Sequence, residues 1–259
     1  MKNKGIGWCK LWIDSHNHHY FSSLNVLDSL RRSGLDAVVE ASWIPVRPGS
    51  WETLEDVYRW IVEAEAQRLS KIGLRLLPAL GVHPRCIPPR INIERLEAWL
   101  QDERVKALGE VGLETGSEEE KEAFVSQLKV AEKLDKPAIV HTPRTNKLQV
   151  ASLELKLIRE SGFPEEMVVV DHFNAELLSG LEKGSYMIGL SLQPGKLSVS
   201  DALKLVETLD SERVMINSDS STEPSEPAWG LELLKELEKR DKQLARRLGT
   251  ENAARFYRA

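Results

Sequence analysis

Short apolar runs alternate with charged, helix-forming stretches along nearly the whole chain. Eight such runs begin near these positions: Leu11, Asp36, Arg75, Val105, Pro137, Met167, Tyr186 and Val214. The helix-forming stretches that follow them cover residues 25–33, 52–72, 93–103, 118–134, 147–160, 175–182, 199–209, 227–247 and 250–257. Strand followed by helix, repeated in this way, is typical of a parallel sheet covered by helices.

Two features favour a closed barrel over an open sheet. Runs such as 37–39 and 167–170 are continuously apolar rather than alternating, as in parallel strands that are buried on both faces. Eight strand-helix units within 259 residues predict an α/β fold of the (β/α)8 TIM barrel type, as one domain spanning residues 1–259. The alternative is a doubly wound dinucleotide-binding sheet. It is weakened because no Gly-x-Gly-x-x-Gly turn follows the first run.

Charge and cysteine content limit the classes of partner. The 35 Lys and Arg residues against 40 Asp and Glu give a net charge of −5, so no global basic field attracts a polyanion, although a metal site can bind phosphate locally. Cys9 and Cys86 form neither a CxxC pair nor a disulfide framework, and we expect both to be reduced and structural. Residues 1–10 lack an apolar stretch of signal or membrane length, which predicts a soluble cytoplasmic protein without membrane contact. The sequence indicates no obligate protein partner.

The histidines are few and their placement is regular. Of six in the chain, five lie at or just beyond the C-terminal ends of apolar runs: His16, His18, His83, His141 and His172. Glu110 and Asp219 follow the same rule. Because the strand ends of a TIM barrel form its active-site face, these side chains are expected to converge where a divalent cation can bind. The sixth, His19, would point away from His18, so we expect a structural or surface position for it.

The ligand types predict a site with two metal ions. His16 and His18 are two residues apart on a strand and would share one ion, which Asp219 completes. Glu110, between two glycines that allow close approach, can bridge that ion to a second one. The second ion would be held by His141 and His172. A water shared by both ions would lose its proton near neutral pH, with Asp219 as the acceptor. Mixed nitrogen and oxygen ligands suit Zn, Mn, Ni, Co or Mg.

The loop at residues 42–51 follows the second run and carries two tryptophans, Trp43 and Trp51. In a barrel this loop lies on the active-site face, where it can form a lid or a substrate wall. The alternative is that both tryptophans only fix the loop to the protein body. The sequence leaves the two interpretations open.

Six short motifs resemble those of one known family, the TatD-type metal-dependent hydrolases of the amidohydrolase superfamily, whose characterised members are deoxyribonucleases. The motifs are Asp14-Ser15-His16-Asn17-His18, residues 81–84, residues 109–114, His141 after its apolar run, residues 170–173 and Ser218-Asp219-Ser220. The resemblance implies one ion held by His16, His18, Glu110 and Asp219, and another held by Glu110, His141 and His172. It also implies that Glu110 and Asp219 are catalytic and that His83 lies near the substrate or the water.

The residues around these motifs depart from the family pattern. The family arginine two residues after the fifth-strand histidine is Pro143 here, with Arg144 one position further on, and Arg47 and Arg85 are other candidates for its phosphate contact. The expected Phe-Ser-Gly, Gly-Leu-Asp and Glu-Thr-Asp are replaced at residues 173–175, 112–114 and 217–219.

These departures leave three functions open. The first is a hydrolase of phosphodiester bonds in nucleic acid, with His83 and Arg144 as substrate contacts. The second uses the same centre on a small amide, lactone or phosphoester. The third is a barrel that retains metal without catalysis.

Overall fold

The protein forms a barrel of eight parallel strands surrounded by helices, in a computed structural model that describes residues 12–181 and 183–259. The strands are β1 (Trp12–Asn17), β2 (Leu35–Ala41), β3 (Arg75–Leu80), β4 (Ala107–Gly112), β5 (Ala138–His141), β6 (Val168–Val170), β7 (Met187–Ser191) and β8 (Val214–Asn217). They pair in chain order, and all pairs are parallel. Backbone bonds from His18 N to Ser220 O (2.8 Å) and from Asp219 N to His16 O (3.1 Å) join the first and last strands. The predicted TIM barrel is therefore confirmed.

The helices lie outside the barrel. They are α1 (Leu24–Ser33), α2 (Trp51–Arg59), α3 (Ala66–Ser70), α4 (Ile93–Leu100), α5 (Glu118–Lys133), α6 (Lys147–Ser161), α7 (Ala175–Leu181), α8 (Val199–Val206), α9 (Trp229–Arg240), α10 (Lys242–Arg246) and α11 (Asn252–Tyr257). Wide π-helical turns at Trp60–Glu65 and Arg247–Glu251 connect α2 to α3 and α10 to α11.

Most predicted boundaries agree with the structure to within two residues. The single helix predicted over 227–247 is wrong, because the chain leaves helical geometry at Asp241, whose side chain caps α10 by accepting from Gln243 N and Leu244 N. The helices predicted to reach residues 103 and 209 end earlier, at Leu100 and Val206. Cys9, Leu11 and Glu182 lie outside the described residues.

Two apolar layers hold the barrel. Inside it, small and medium side chains such as Ala37, Val39, Ala79 and Ile139 fill the core, and α11 closes the amino-terminal end with Tyr257. A larger layer packs between the strands and the surrounding helices. Because the interior is filled by side chains, the polar residues of the strands collect at the opposite, carboxyl-terminal rim.

Two further findings concern single features. Cys86 is a free, buried thiol, as predicted. Among the residues that the structure describes, no helix combines the length and the apolar character that crossing a membrane requires.

Candidate metal centre

The seven residues singled out at strand ends meet at the carboxyl-terminal rim of the barrel. They are His16 in β1, His18 directly after it, His83 after β3, Glu110 in β4, His141 at the end of β5, His172 after β6 and Asp219 after β8. None of them is more than 6% exposed. Titratable side chains that are buried together in this way require partners of opposite charge, either one another or bound ions.

Glu110 lies at the middle of the cluster, and its two carboxylate oxygens face different histidines. Oε1 is 2.8 Å from Nδ1 of His141 and 3.1 Å from Nε2 of His172. Oε2 is 3.4 Å from Nε2 of His16 and 3.6 Å from Nε2 of His18. Asp219 joins the second group, with Oδ1 3.6 Å from Nε2 of His18. One carboxylate therefore separates two sets of nitrogen donors.

The donor atoms are close enough to hold metal ions. Three sets have ligand atoms within 4.8 Å of one another: His16, His172 and Asp219; His16, His18 and Glu110; His83, Glu110 and His141. Nε2 of His16 is buried and has no hydrogen-bond partner among the described residues. An unpaired buried imidazole nitrogen beside carboxylates fits a divalent cation that takes nitrogen and oxygen ligands.

Hydrogen bonds on the far side of the rings orient three of the histidines. Nδ1 of His16 bonds Asp171, and Nδ1 of His18 lies 2.7 Å from the carbonyl oxygen of Ala41. Nδ1 of His172 lies 2.7 Å from Oγ of Ser191, whose hydroxyl donates to Asp171. Because each Nδ1 faces an acceptor, each carries its ring proton there, and the Nε2 lone pair is directed into the cluster.

His141 has the reverse orientation. Its Nε2 lies 3.0 Å from Oε2 of Glu114, and its Nδ1 faces Glu110. A ring proton on Nε2, accepted by Glu114, leaves the Nδ1 lone pair directed toward the centre. The sequence identified Glu114 only as a departure from the family pattern, and its contact with His141 was not predicted.

His83 differs from the other four because its Nδ1 accepts a hydrogen bond from the backbone N–H of Arg85, at 3.0 Å. Burial lowers the pKa of His83 well below its usual value, and neighbouring cations lower it further although Glu110 opposes them. The neutral ring therefore carries its proton on Nε2, 3.5 Å from Oε2 of Glu110. In this tautomer His83 is a hydrogen-bond donor into the centre rather than a ligand.

The cluster has strongly shifted protonation equilibria. Burial alone would raise the pKa of Glu110, but the surrounding histidines hold it well below the usual value. Burial lowers the pKa of His16, and the carboxylates of Glu110 and Asp171 more than reverse this shift. Burial raises the pKa of Asp219, while Lys196 and the histidines bring it down to about 2. Both carboxylates are thus ionised, which is the state in which they could bind a metal ion.

The backbone at the rim is strained at two of these residues. His172 and Asp219 adopt left-handed conformations, with φ of 54° and 43°. Such a conformation costs a non-glycine residue roughly 1–3 kcal/mol and persists only where the surroundings enforce it. Gly109 has a simpler role, since a Cβ there would lie 2.8 Å from Cβ of Ile139. The glycine lets β4 approach β5 and brings Glu110 toward His141.

The cluster opens into a cavity of about 150 Å³. Trp43 lines it, with the guanidinium of Arg85 over its ring at 5.7 Å from the centroid. Trp51 instead packs edge-on against Tyr58, at 6.0 Å. The loop at residues 42–51 therefore combines the two interpretations: Trp43 forms part of the cavity wall, and Trp51 fixes the loop to the protein body.

The remaining candidates occupy different positions. Arg144 is exposed and lines the mouth of the cavity. Arg47 lies away from it, bound to Glu119 at 2.5 Å. His19 is fully buried and bonds Asp14 at 3.1 Å, so its position is structural and the surface alternative is wrong. No sequence pattern indicated Lys196, which lies in the loop after β7 and bonds Asp219.

Fold and donor set define a metal-dependent barrel enzyme. A family model described as TatD related DNase matches residues 13–258, and the chain belongs to this family of metal-dependent hydrolases. The chain is 29% identical over 210 residues to an uncharacterised metal-dependent hydrolase of Methanocaldococcus jannaschii, covering 80% of this chain and 83% of the relative. A putative deoxyribonuclease of Mus musculus, TATDN3, is 28% identical over 196 residues, covering 66% of this chain and 61% of that protein.

Among solved structures, a TatD-like protein from Archaeoglobus fulgidus superposes with a TM-score of 0.82 at 34% identity, covering 96% of this chain and all of that one. The predicted family and the hydrolase class are confirmed, and a non-catalytic scaffold is disfavoured.

Proposed function

We propose that this protein hydrolyses phosphodiester bonds of nucleic acid with divalent ions that Glu110, the histidines around it and Asp219 would hold. The observation that carries the proposal is the division of the Glu110 carboxylate. Oε1 faces His141 and His172 at 2.8 and 3.1 Å, and Oε2 faces His16 and His18 at 3.4 and 3.6 Å. The division supports one ligand set with His141 and His172 and another with His16 and His18, which Asp219 would complete.

When bound, the two ions supply a low-pKa water and a positive field for the attacked phosphoryl oxygen. The protein's own groups have separate tasks. Asp219, which Lys196 and the histidines keep ionised, would accept the proton of the attacking water. His83 donates from Nε2 to an oxygen in the centre, and Glu114 keeps His141 in its ligating tautomer.

Three observations support nucleic acid as the substrate. The matching family model is described as a DNase, and the mouse relative is named a putative deoxyribonuclease. The cavity is lined by cationic side chains from three loops, Arg85, Arg144 and Lys196. Trp43 adds an aromatic side chain to the cavity lining, with the guanidinium of Arg85 over its ring.

The test is degradation of single-stranded DNA after chelation and reloading with one ion type at a time, with bound metal measured in parallel. We expect nucleotide release that depends on the ion and falls at least about 100-fold in Asp219→Asn. The matched control is Asp210→Asn, on the exposed turn before β8. Absence of release from the loaded wild-type enzyme, or equal release by Asp219→Asn, would contradict the proposal.

A second candidate is a hydrolase of small esters, favoured by the size of the cavity. Its volume of about 150 Å³ is below the roughly 300–1,000 Å³ of typical ligand pockets, and Pro143 stands at the position where the sequence resemblance implies a phosphate-binding arginine. Comparing kcat/KM for an oligonucleotide, a small phosphodiester and a lactone separates the two candidates. A preference for the lactone or the small phosphodiester would favour the second.

A further inference from the structure

Lys196 extends its ammonium group into the candidate metal centre from a loop that carries none of the expected ligands. Nζ donates to Oδ2 of Asp219 and lies 3.2 and 3.3 Å from the two ring nitrogens of His172. Its side chain is only 13% exposed. A cation thus lies against two of the proposed ligands, at the inner end of the cavity.

The loop that presents this lysine is fixed by the barrel. The N–H of Lys196 donates to Gln193 O at 2.9 Å, closing a turn in which Gly195 has φ of 81°. Leu192 and Leu197 on either side form a backbone bridge. Nε2 of Gln193 donates to the backbone oxygen of Asp219 at 2.9 Å, which ties the turn to the segment after β8. The turn that binds the backbone oxygen of Asp219 therefore also holds Lys196 beside the Asp219 side chain.

The other cations of the cavity are placed differently. Arg144 is exposed at the mouth. Arg85 stacks on Trp43 and lies 3.6 Å from a carboxylate oxygen of Glu114. Lys147 is buried and donates to Thr142 Oγ1 (2.6 Å), Thr142 O (3.2 Å) and His172 O (3.1 Å), so it joins two loops. Of these cations, Lys196 is the one in contact with both His172 and Asp219.

We propose that Lys196 is the residue that binds the anionic oxygen of the substrate and selects anionic over neutral esters. When Asp219 holds a divalent ion, the ion and the ammonium compete for the same carboxylate and repel each other. The flexible lysine stem lets the ammonium turn into the cavity while its backbone stays fixed, and a phosphoryl oxygen there offers it a new partner.

The inference rests on the proposed function only in locating hydrolysis at this centre. It has two consequences that can be measured separately from turnover. Removing the ammonium removes a competitor for Asp219, so ions should bind more tightly. It also removes a partner for anions, so the ion-loaded protein should bind inorganic phosphate more weakly.

Isothermal titration tests both consequences with Mn²⁺ alone and then with inorganic phosphate on the Mn²⁺-loaded protein. The variants are Lys196→Met, which keeps most of the side-chain length without the charge, and Lys196→Arg, which keeps the charge. Lys204→Met, in α8 and 77% exposed, is the matched control. We expect Lys196→Met to bind Mn²⁺ at least threefold more tightly and phosphate at least tenfold more weakly, with rescue of phosphate binding by Lys196→Arg.

Phosphate binding equal to wild type in Lys196→Met would overturn the proposal, as would weaker Mn²⁺ binding, which indicates a structural role. A thermal unfolding curve confirms that each variant is folded. Kinetics add a third measurement. Lys196→Met should raise KM for a phosphodiester at least fivefold and leave KM for a neutral lactone unchanged, and equal effects on both would overturn the selectivity. If DNA is not cleaved but phosphate binding depends on Lys196, the proposed function fails and this inference stands.

Discussion

The two ends of the barrel are formed by the same eight strands, but one is closed by apolar packing and the other holds a buried polar cluster. At the amino-terminal end, Tyr257 of α11 is 1% exposed, closes the apolar interior and donates its hydroxyl to Ser15 O at 2.8 Å. At the carboxyl-terminal rim, Glu110 and five histidines are equally buried, and His172 and Asp219 have strained backbones. The buried hydroxyl of Tyr257 is paired within the protein, whereas Nε2 of His16 at the rim has no hydrogen-bond partner among the described residues.

The groups that stabilise the fold and the groups suited to chemistry therefore lie at opposite ends of the barrel. Burial of apolar and paired groups stabilises the fold, while concentrated charge and backbone strain reduce its stability and serve chemistry. Changes to the proposed ligands of the rim and to the side chains that orient them should therefore reduce ion binding and activity at little cost in stability. Changes at the closed end should do the reverse.

The largest effect is expected from Glu110→Gln. The amide keeps the shape but loses the charge that both ligand sets face, so we expect loss of at least one ion and a fall in kcat of about 10³-fold or more, about 4 kcal/mol in the barrier. Metal content and hydrolysis measure both losses. The melting temperature should stay within a few degrees of wild type. A large fall in it would contradict the division between the two ends.

Much of this site could be predicted from the sequence because apolar runs mark the strands and the residues that follow them must meet at one rim. The positions of His16, Glu110 and His141 follow from that rule. Lys196 could not be found in this way, since it enters the centre from a loop whose turn has no periodic signal. The break between α9 and α10 does have a sequence signal, because Asp241 is a favoured helix-capping residue.

The next largest effect is on stability, at the closed end. Tyr257→Ala removes a buried ring and should lower the free energy of unfolding by about 3–5 kcal/mol. Tyr257→Phe removes only the bond to Ser15 and should cost about 1 kcal/mol. Denaturant titration measures both changes. The kcat of the ion-loaded variants should match wild type at a temperature where they are folded, and a tenfold lower kcat would show that the two ends are not independent.

A smaller effect is expected from Glu114→Gln, because Glu114 orients His141, whereas Glu110 faces both sets of histidines. The carboxylate oxygen lies 3.0 Å from Nε2 of His141, and partners that orient ligating histidines typically contribute about 10–100-fold to metal affinity or activity. We expect a loss of about tenfold in the affinity for the ion that His141 holds. Titration with Mn²⁺ measures it, with the exposed Glu122→Gln as control. An unchanged affinity for Mn²⁺ would show that Glu114 does not contribute to ion binding.

The smallest expected effect concerns Glu40, and it tests whether burial alone keeps a glutamate ionised as Glu110 is. Glu40 in β2 is also fully buried, but its neighbours are Glu65 and Arg68 rather than histidines. Burial first, and then the charge of Glu65, raise its pKa well above the usual value of 4.5, opposite to the shift of Glu110. Folded protein therefore retains a proton that the unfolded chain releases above pH 4.5, so Glu40 costs stability as the pH rises from there to the raised pKa.

Glu40→Gln should remove that cost. We expect its stabilisation relative to wild type to be at least about 1 kcal/mol larger at pH 8 than at pH 4.5, from urea titrations at both values. Glu63→Gln, on the same π-helical turn as Glu65 but exposed, should show no such dependence. A stabilisation that does not grow with pH would mean that Glu40 is ionised in the fold. The protein would then bury an ionised carboxylate outside the histidine cluster as well, and burial of ionised groups would not distinguish the rim.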